Sequence, residues 1–386
     1  TTAGGTLTLD GAVVLTADTT VSSGAGGGNI SFTSTVDDDT TGPWSLTASA
    51  GTGSVSFGGV VGTGPAAGER PNTLTVDGDA GVSLGAAVYL VGDLSVGGGT
   101  TLATNGNAID IDGSLTGAGG VTAGASTINI GTDMSLSGTW TANTSRVIFD
   151  TATNGSVNSY TFNEVEIAKT AEVDTLTATG DWTVGSLTLT SGTWIAGNNT
   201  HQIGGGWDST DPDFALTEGG STIQLTTGDP SIATEGLTDA FNNLTLDDGG
   251  TLGSDVAVSG TLDHQGATAL SGAAQTLRVN GATLGSDISF SGAGTVEFTG
   301  AGSVSLSAAS DVTVADGTIT LDNPVDGGSA FSADAGTTSG TINVDAVLGA
   351  TLTSVSLTAG TINLGANVTT AGGTLTLDGA VVLTAD

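Results

Sequence analysis

"DISFSGAGTVEFTGAGSVSLSAASDVTVADGTITLDN", residues 287–323, decides the fold. Ile288 and Phe290 flank Ser289, Val296 and Phe298 flank Glu297, Val304 and Leu306 flank Ser305, Val312 and Val314 flank Thr313, and Ile319 and Leu321 flank Thr320. Each triplet reads as a short strand with one apolar and one polar face. The joining pieces, such as "SGAG", "TGAG" and "VADG", are turn chemistry. Successive starts at Ile288, Val296, Val304, Val312 and Ile319 lie too close for hairpins, whose strands need about 5–6 residues each plus a loop. They suit three short strands wound round a triangular coil of roughly 22–24 residues, within the range of solenoid repeats. Equivalent strands then stack about 4.8 Å apart as parallel sheets. The expectation is an all-β chain, a single parallel β-helix or β-solenoid with about six inward apolar residues per coil.

The same pattern recurs outward from that stretch, in "GTLTLDGAVVLTAD", "GGNISFTSTVDD", "GTGSVSFGGVVG" and "GTINLGANVTT". Asp-Gly pairs follow strands at Asp10, Asp77, Asp112, Asp248, Asp316 and Asp326. In antiparallel sandwiches they would make two-residue turns, but no linker divides this chain. Residues 1–386 therefore read as one continuous solenoid, with an irregular, wider section over about 135–250. Trp140, Trp182, Trp194 and Trp207 lie in that section, and the alternation of Tyr160, Phe162, Val165 and Ile167 favours a strand over a helix.

Residues 1–18, "TTAGGTLTLDGAVVLTAD", recur without substitution as residues 369–386. The offset of 368 residues, at about 23 per coil, gives roughly 16 coils and a rod of about 75–80 Å. An open β-helix end presents unpaired strand backbone. It would also expose about six apolar side chains, at ~1.5–3 kcal/mol each, a sum comparable to the net stability of a domain. Solenoids carry polar caps for this reason. Here both ends carry core-type strands, Leu7/Leu9 with Val13/Leu15 and Leu375/Leu377 with Val381/Leu383. The expectation is uncapped ends and self-association through these eight residues, head to tail along a fibre axis. Thr1, without Met or a signal peptide, reads as the start of a segment of a longer precursor.

Composition narrows the function classes. Of 386 residues 39 are acidic and four basic, for a formal charge of −35. Arg70, Arg146, Lys169 and Arg278 cannot neutralise a phosphate track, which argues against nucleic acid as a partner. No apolar run is long enough for a helical membrane span, and with no Cys there is no disulfide. Three scattered Arg, one Lys, and His201 and His264 far apart do not make an acid–base site, so no enzyme activity is expected. Carboxylate groups supply hard-oxygen candidates for a metal: Asp37, Asp38 and Asp39; Asp77 and Asp79; Asp110 and Asp112; and Asp208, Asp211 and Asp213. Calcium is the one cofactor they could take, but none fits a known calcium loop, and Asp capping turns explains them equally.

"GGNISFTSTVD", "SLTASAGTGSVSFGGVVG" and "NTLTVDGDAGVSLG" resemble the repeats of filamentous-haemagglutinin-like, two-partner-secreted bacterial adhesins. "RVIFDTATNGSVNSYTFNEVEIAK" and "FNNLTLDDGGTLGSDVAVSGTL" resemble repeats of giant autotransporter-like surface proteins. The resemblance covers about half the chain and implies a right-handed β-helix, exported and displayed as an extracellular filament on a bacterial surface. It carries over no catalytic residue. Two other readings stay open. One is an adhesin shaft binding a carbohydrate or cell surface, favoured if Trp194 and Trp207 are exposed beside a groove. The other is a β-helix enzyme acting on polysaccharide, favoured if an Asp cluster faces an Arg across adjacent coils.

Overall fold

The structure, a computed structural model, describes residues 1–384 except 40, 64–68, 239 and 350. It is all-β. Among the described residues the only helical element is the 3-10 turn Gly236–Thr238. Among the described residues the strand pairings are parallel, and strands of successive coils stack into ladders, as a β-solenoid requires. The described residues group into two compact units, Thr1–Ile195 and Ala196–Asp386.

Three ladders build the first unit. One runs through Leu7–Leu9, Ile30–Phe32, Val55–Phe57, Val82–Leu84, Thr101–Ala103, Gly120–Thr122 and Trp140–Thr141. A second runs through Thr19–Ser22, Leu46–Ser49, Leu74–Asp77, Leu94–Val96, Leu115–Gly117, Met134–Leu136, Gly155–Val157, Thr175–Ala178 and the end of Trp182–Ile195. The third starts at Val13–Leu15 and Val36–Asp38 and continues by single bridges through Val61 to Val88–Leu90. Like residues stack on like: Leu46 on Leu74, Leu74 on Leu94, and Leu94 on Leu115. Alternation puts these side chains inside, where they are at most 1% exposed. Phe32 and Phe57 stack face to face, 4.8 Å apart.

The second unit contains the stretch that decides the fold. Ile288–Phe290, Thr295–Phe298, Val304–Leu306, Ser310–Val314 and Thr318–Leu321 are strands, and every third one pairs. Ile288 lies beside Val312, Val296 beside Ile319, and Val304 beside Val325. Asp316, in the "ADG" corner, adopts a φ of +58°, a left-handed conformation that Asp tolerates in turns.

Two features differ from expectation. The two units hold about 18 turns, against the roughly 16 expected. Corners of only two or three residues join Ile109–Ile111, Leu115–Gly117 and Gly120–Thr122, so a coil there is shorter than 23 residues: Ile109 pairs with Ile128, and Leu115 with Met134. Strand lengthening also extends beyond 135–250. Tyr160–Ala168 and Trp182–Ile195 are long, but so are Ala330–Val344 and Ser354–Leu364, which continue through a corner by a shift of register.

Candidate functional site

The two copies of the 18-residue segment lie against opposite neighbours. In the first, Leu7 pairs with Ile30, Leu9 with Phe32, Val13 with Val36 and Leu15 with Asp38, all in the following coil. In the second, Leu375 pairs with Val355, Leu377 with Leu357, Val381 with Ile362 and Leu383 with Leu364, all in the preceding coil. Leu375, Leu377, Val381 and Leu383 are the same positions of the motif as Leu7, Leu9, Val13 and Leu15. One copy thus uses its upper edge and the other its lower edge, through the same four residues. Ala385 and Asp386 lie outside the described residues.

Burial follows from this. Leu15 is 2% exposed and Leu383 75%; Leu375, Val381 and Val382 are also exposed. Ile30, Phe32 and Val36 are sealed beneath the first copy. The copies also differ locally. The first makes two strands, Leu7–Leu9 and Val13–Leu15, around a corner, whereas the second is one strand, Leu375–Leu383, with a register shift after Thr358. Gly11 shows why. A Cβ there would meet nothing within 4 Å, but at Gly379, where φ is +150°, it would lie 1.9 Å from the Ala359 carbonyl oxygen. The motif carries a glycine whose need appears only when a coil lies beneath it. Gly5 and Gly373 repeat the contrast: a Cβ on Gly5 has room, and on Gly373 it would sit 1.5 Å from the Thr353 oxygen.

Cations occupy a second place of interest, at a corner of the first unit. Arg70 is 4% exposed and donates to the carbonyls of Leu90 and Asp110 and to Asp112 Oδ1 at 3.0 Å. Lys169 is 1% exposed, and its Nζ donates to the carbonyls of Gly131 (2.7 Å) and Thr153 (2.8 Å). Burial pushes the Lys169 ammonium below its ordinary value, against the pull of Asp150. Burial raises the Asp110 carboxyl although Arg70 opposes it, and raises Asp150, with Asp110 adding repulsion. Arg70 and Lys169, far apart in sequence, come to the same corner in the fold. The available signal was that Arg70 and Lys169 border the glycine-rich or turn-rich segments that interrupt the alternation.

Arg146 and Arg278 lie on ladders beside acidic residues, with Arg146 paired to Glu166 (2.5 Å) and Glu164 (3.4 Å), and Arg278 to Glu297 (2.6 Å). The Asp groups singled out from the sequence mostly cap turns. Asp38 accepts from the Asp39 and Trp44 amides, and Asp39 from Thr41 and the Trp44 indole. Asp77 accepts from Ser49 and Thr100, Asp208 from Thr210, and Asp211 from the Asp213 amide. Asp37 occupies a ladder position beside Val14, and Asp79 a turn. Among the described residues, no group of three or more His, Cys, Asp or Glu is placed to hold a metal ion.

Trp194 and Trp207 are 0% and 2% exposed, so neither lines a groove. Trp194 stacks on Trp182 at 5.2 Å, and Trp207 meets Phe241 edge-on at 5.0 Å. A half-exposed tryptophan, Trp140, instead lines an open cleft with Asn143, Thr161, Phe162 and Asn163. His201 and His264 are buried in separate coils, each donating its Nε2–H to a carbonyl, of Ala196 and Thr268 respectively. Comparison with family models, curated proteins and solved structures gave no match to this chain.

Proposed function

We propose that the chain is a structural repeat unit of an extracellular bacterial surface filament, a right-handed β-helix in which copies join end to end by sharing the 18-residue rung. The observation that carries this reading is the register of the two copies. The same four residues of one motif have a partner above in one copy and below in the other. Overlaying the copies gives a junction of three consecutive rungs, Val355–Leu7–Ile30, Leu357–Leu9–Phe32 and Ile362–Val13–Val36 among them. Apolar residues run through these three, and at the fourth position, Leu364–Leu15–Asp38, the run ends on the buried Asp38. Export and surface display rest on the resemblance of the repeats to those of large bacterial adhesins. The acidic surface fits a fibre that keeps its neighbours apart by charge repulsion.

A role without catalysis accords with the placement of the cations. Arg70 does face Asp112 across coils, the arrangement that would favour an enzyme. But Arg70 and Lys169 are buried and donate to backbone carbonyls, which supports a role in holding a corner together. An adhesin shaft remains the second reading, and the Trp140 cleft favours it: an indole with flanking amides is the usual chemistry for a sugar ring.

Electron microscopy tests the filament reading. Proteins of two and three copies, each pair sharing one 18-residue segment, are expected to form thin rods whose length grows by equal increments. Globules separated by gaps at the shared segment would refute it.

A further inference from the structure

We propose that the cleft at Trp140 binds one hexose ring of a neutral glycan, with the indole as the surface on which the sugar stacks. The inference rests on the second reading above, the adhesin shaft, and gives it a place and a ligand class. The cleft arises from how the solenoid is built. Leu102, Val121 and Trp140 occupy one column of the ladder that begins at Leu7–Leu9, and Trp140–Thr141 is its last strand among the described residues. Leu102 and Val121 are each 1% exposed, whereas Trp140, where the ladder stops, is only partly covered. In the next coil the chain runs into the long strand Tyr160–Ala168, and the step between the two leaves one side of the indole open.

The ring is fixed before any ligand arrives. Its Nε1–H donates to the Thr161 carbonyl at 3.1 Å, and Tyr160 and Phe162 meet it at centroid distances of 6.4 and 6.1 Å. Phe162 packs edge-on against Trp182, and Trp182 stacks on Trp194, so the indole is the exposed end of a buried aromatic chain. Binding there costs little side-chain ordering. Amides and hydroxyls surround the ring. Asn143 is exposed and held at a φ of +50° in its turn. Asn163 donates its Nδ2–H to the Ser145 carbonyl at 3.2 Å, which leaves Oδ1 to accept. Gly185, in the following coil, keeps that side open, since a Cβ there would lie 2.6 Å from the Asn163 carbonyl oxygen.

Hexose chemistry matches this lining. A pyranose has a face of C–H groups that packs on an aromatic ring and a rim of hydroxyls that pair with amides. The cleft, at about 410 Å³, falls in the range of small-ligand sites, roughly 300–1,000 Å³. Every lining residue is uncharged and the chain carries −35, so an acidic sugar would be repelled with no cation to pair it.

The full chain, isotope-labelled at its tryptophan indoles, tests this against neutral tetrasaccharides of glucose, galactose, mannose and N-acetylglucosamine, with tetragalacturonate as the charged control. At least one neutral probe is expected to bind with a dissociation constant of about 1 mM, seen as saturation transfer to the sugar and as a shift of the Trp140 indole signal, the one absent from Trp140→Phe. Trp140→Ala should weaken that binding about tenfold, and Trp140→Phe, which keeps a smaller ring, about threefold. Asn143→Gly, which keeps the left-handed turn and removes the amide, should weaken it about three- to tenfold. Melting curves of Trp140→Phe and Asn143→Gly that match the parent make this a loss of contact and not of fold. A neutral sugar that binds the parent and all three variants alike would overturn this site and leave the adhesin reading standing. Absence of saturation transfer to every neutral probe would remove the site and the carbohydrate form of the adhesin reading together. Tetragalacturonate binding as tightly as the neutral probes would overturn the ligand class.

Discussion

Leu15 and Leu383 are one residue of one motif in two surroundings, and truncating each to alanine measures what the next coil contributes. Burying a leucine in a core is worth several kcal/mol on truncation; at the first rung, with a neighbour on one side only, about 2–3 kcal/mol is expected for Leu15→Ala. Leu383 is 75% exposed against 2% for Leu15, so roughly a quarter of that, about 0.5–0.8 kcal/mol, is expected for Leu383→Ala. A solenoid opens coil by coil, which makes native-state amide exchange the suitable assay. The Asp39 amide, bonded to the Leu15 carbonyl, should exchange about 30–150-fold faster in Leu15→Ala, converting those energies at about 1.4 kcal/mol per tenfold. The Thr384 amide, bonded to the Leu364 carbonyl, should change by only about 2–4-fold in Leu383→Ala. In a protein of two copies sharing the segment, the inner leucine should respond as Leu15 does. The reasoning fails if Leu383→Ala costs as much as Leu15→Ala in a single chain, or if the inner leucine of the tandem stays silent.

Glycine gives a parallel contrast: Gly379→Ala should cost about 1–3 kcal/mol through strain against Ala359, and Gly11→Ala should fall within about 0.5 kcal/mol of neutral, both read by chemical denaturation. Lys169→Met leaves the Gly131 and Thr153 carbonyls without their donor and Asp150 without its nearest cation, a loss of about 3–5 kcal/mol; adding Asp150→Asn should restore part of it, and an unchanged midpoint for the single variant would count against the corner's role. Asp110 and Asp150 have folded-state values raised above 3.8, so the folded chain takes up protons that the unfolded chain does not. Their contribution makes stability rise as pH falls from neutral through the raised values, and the gain is complete below 3.8. His264, held below 6.5 by burial, acts the other way: the unfolded chain is protonated first, and stability falls as pH drops through 6.5. The parent chain should gain stability relative to Asp150→Asn on acidification, read from melting curves, and a difference that stays constant with pH would remove Asp150 from this account.

Period-two alternation broken every few residues by Gly, Asp and Asn was enough to read stacked parallel coils, because inward and outward positions are set locally. Ile288, Val296 and Val304 face inward, as that alternation predicts. Coil length was less legible. Whether a corner takes two residues, as between Leu115–Gly117 and Gly120–Thr122, or five, as between Thr101–Ala103 and Ile109–Ile111, depends on packing against the coil below. The paired 18-residue segments were visible by inspection, but not the switch from two strands to one, since sequence alone gives both copies the same local preferences. Trp194 and Trp207 illustrate the other limit. Periodicity does not say which face of a long strand is closed, and here both indoles point inward.

Hydrogen bonds between rungs run along the direction in which coils stack. A pull applied along that direction loads few bonds at a time, so coils would peel singly, not shear together. Leu357 and Leu377 are one coil apart, 20 residues. Releasing that much chain lengthens a tether by about 65–70 Å at the extended-chain limit. A solenoid built this way yields under tension in small steps, each of which can rewind onto the rung below when the load is removed.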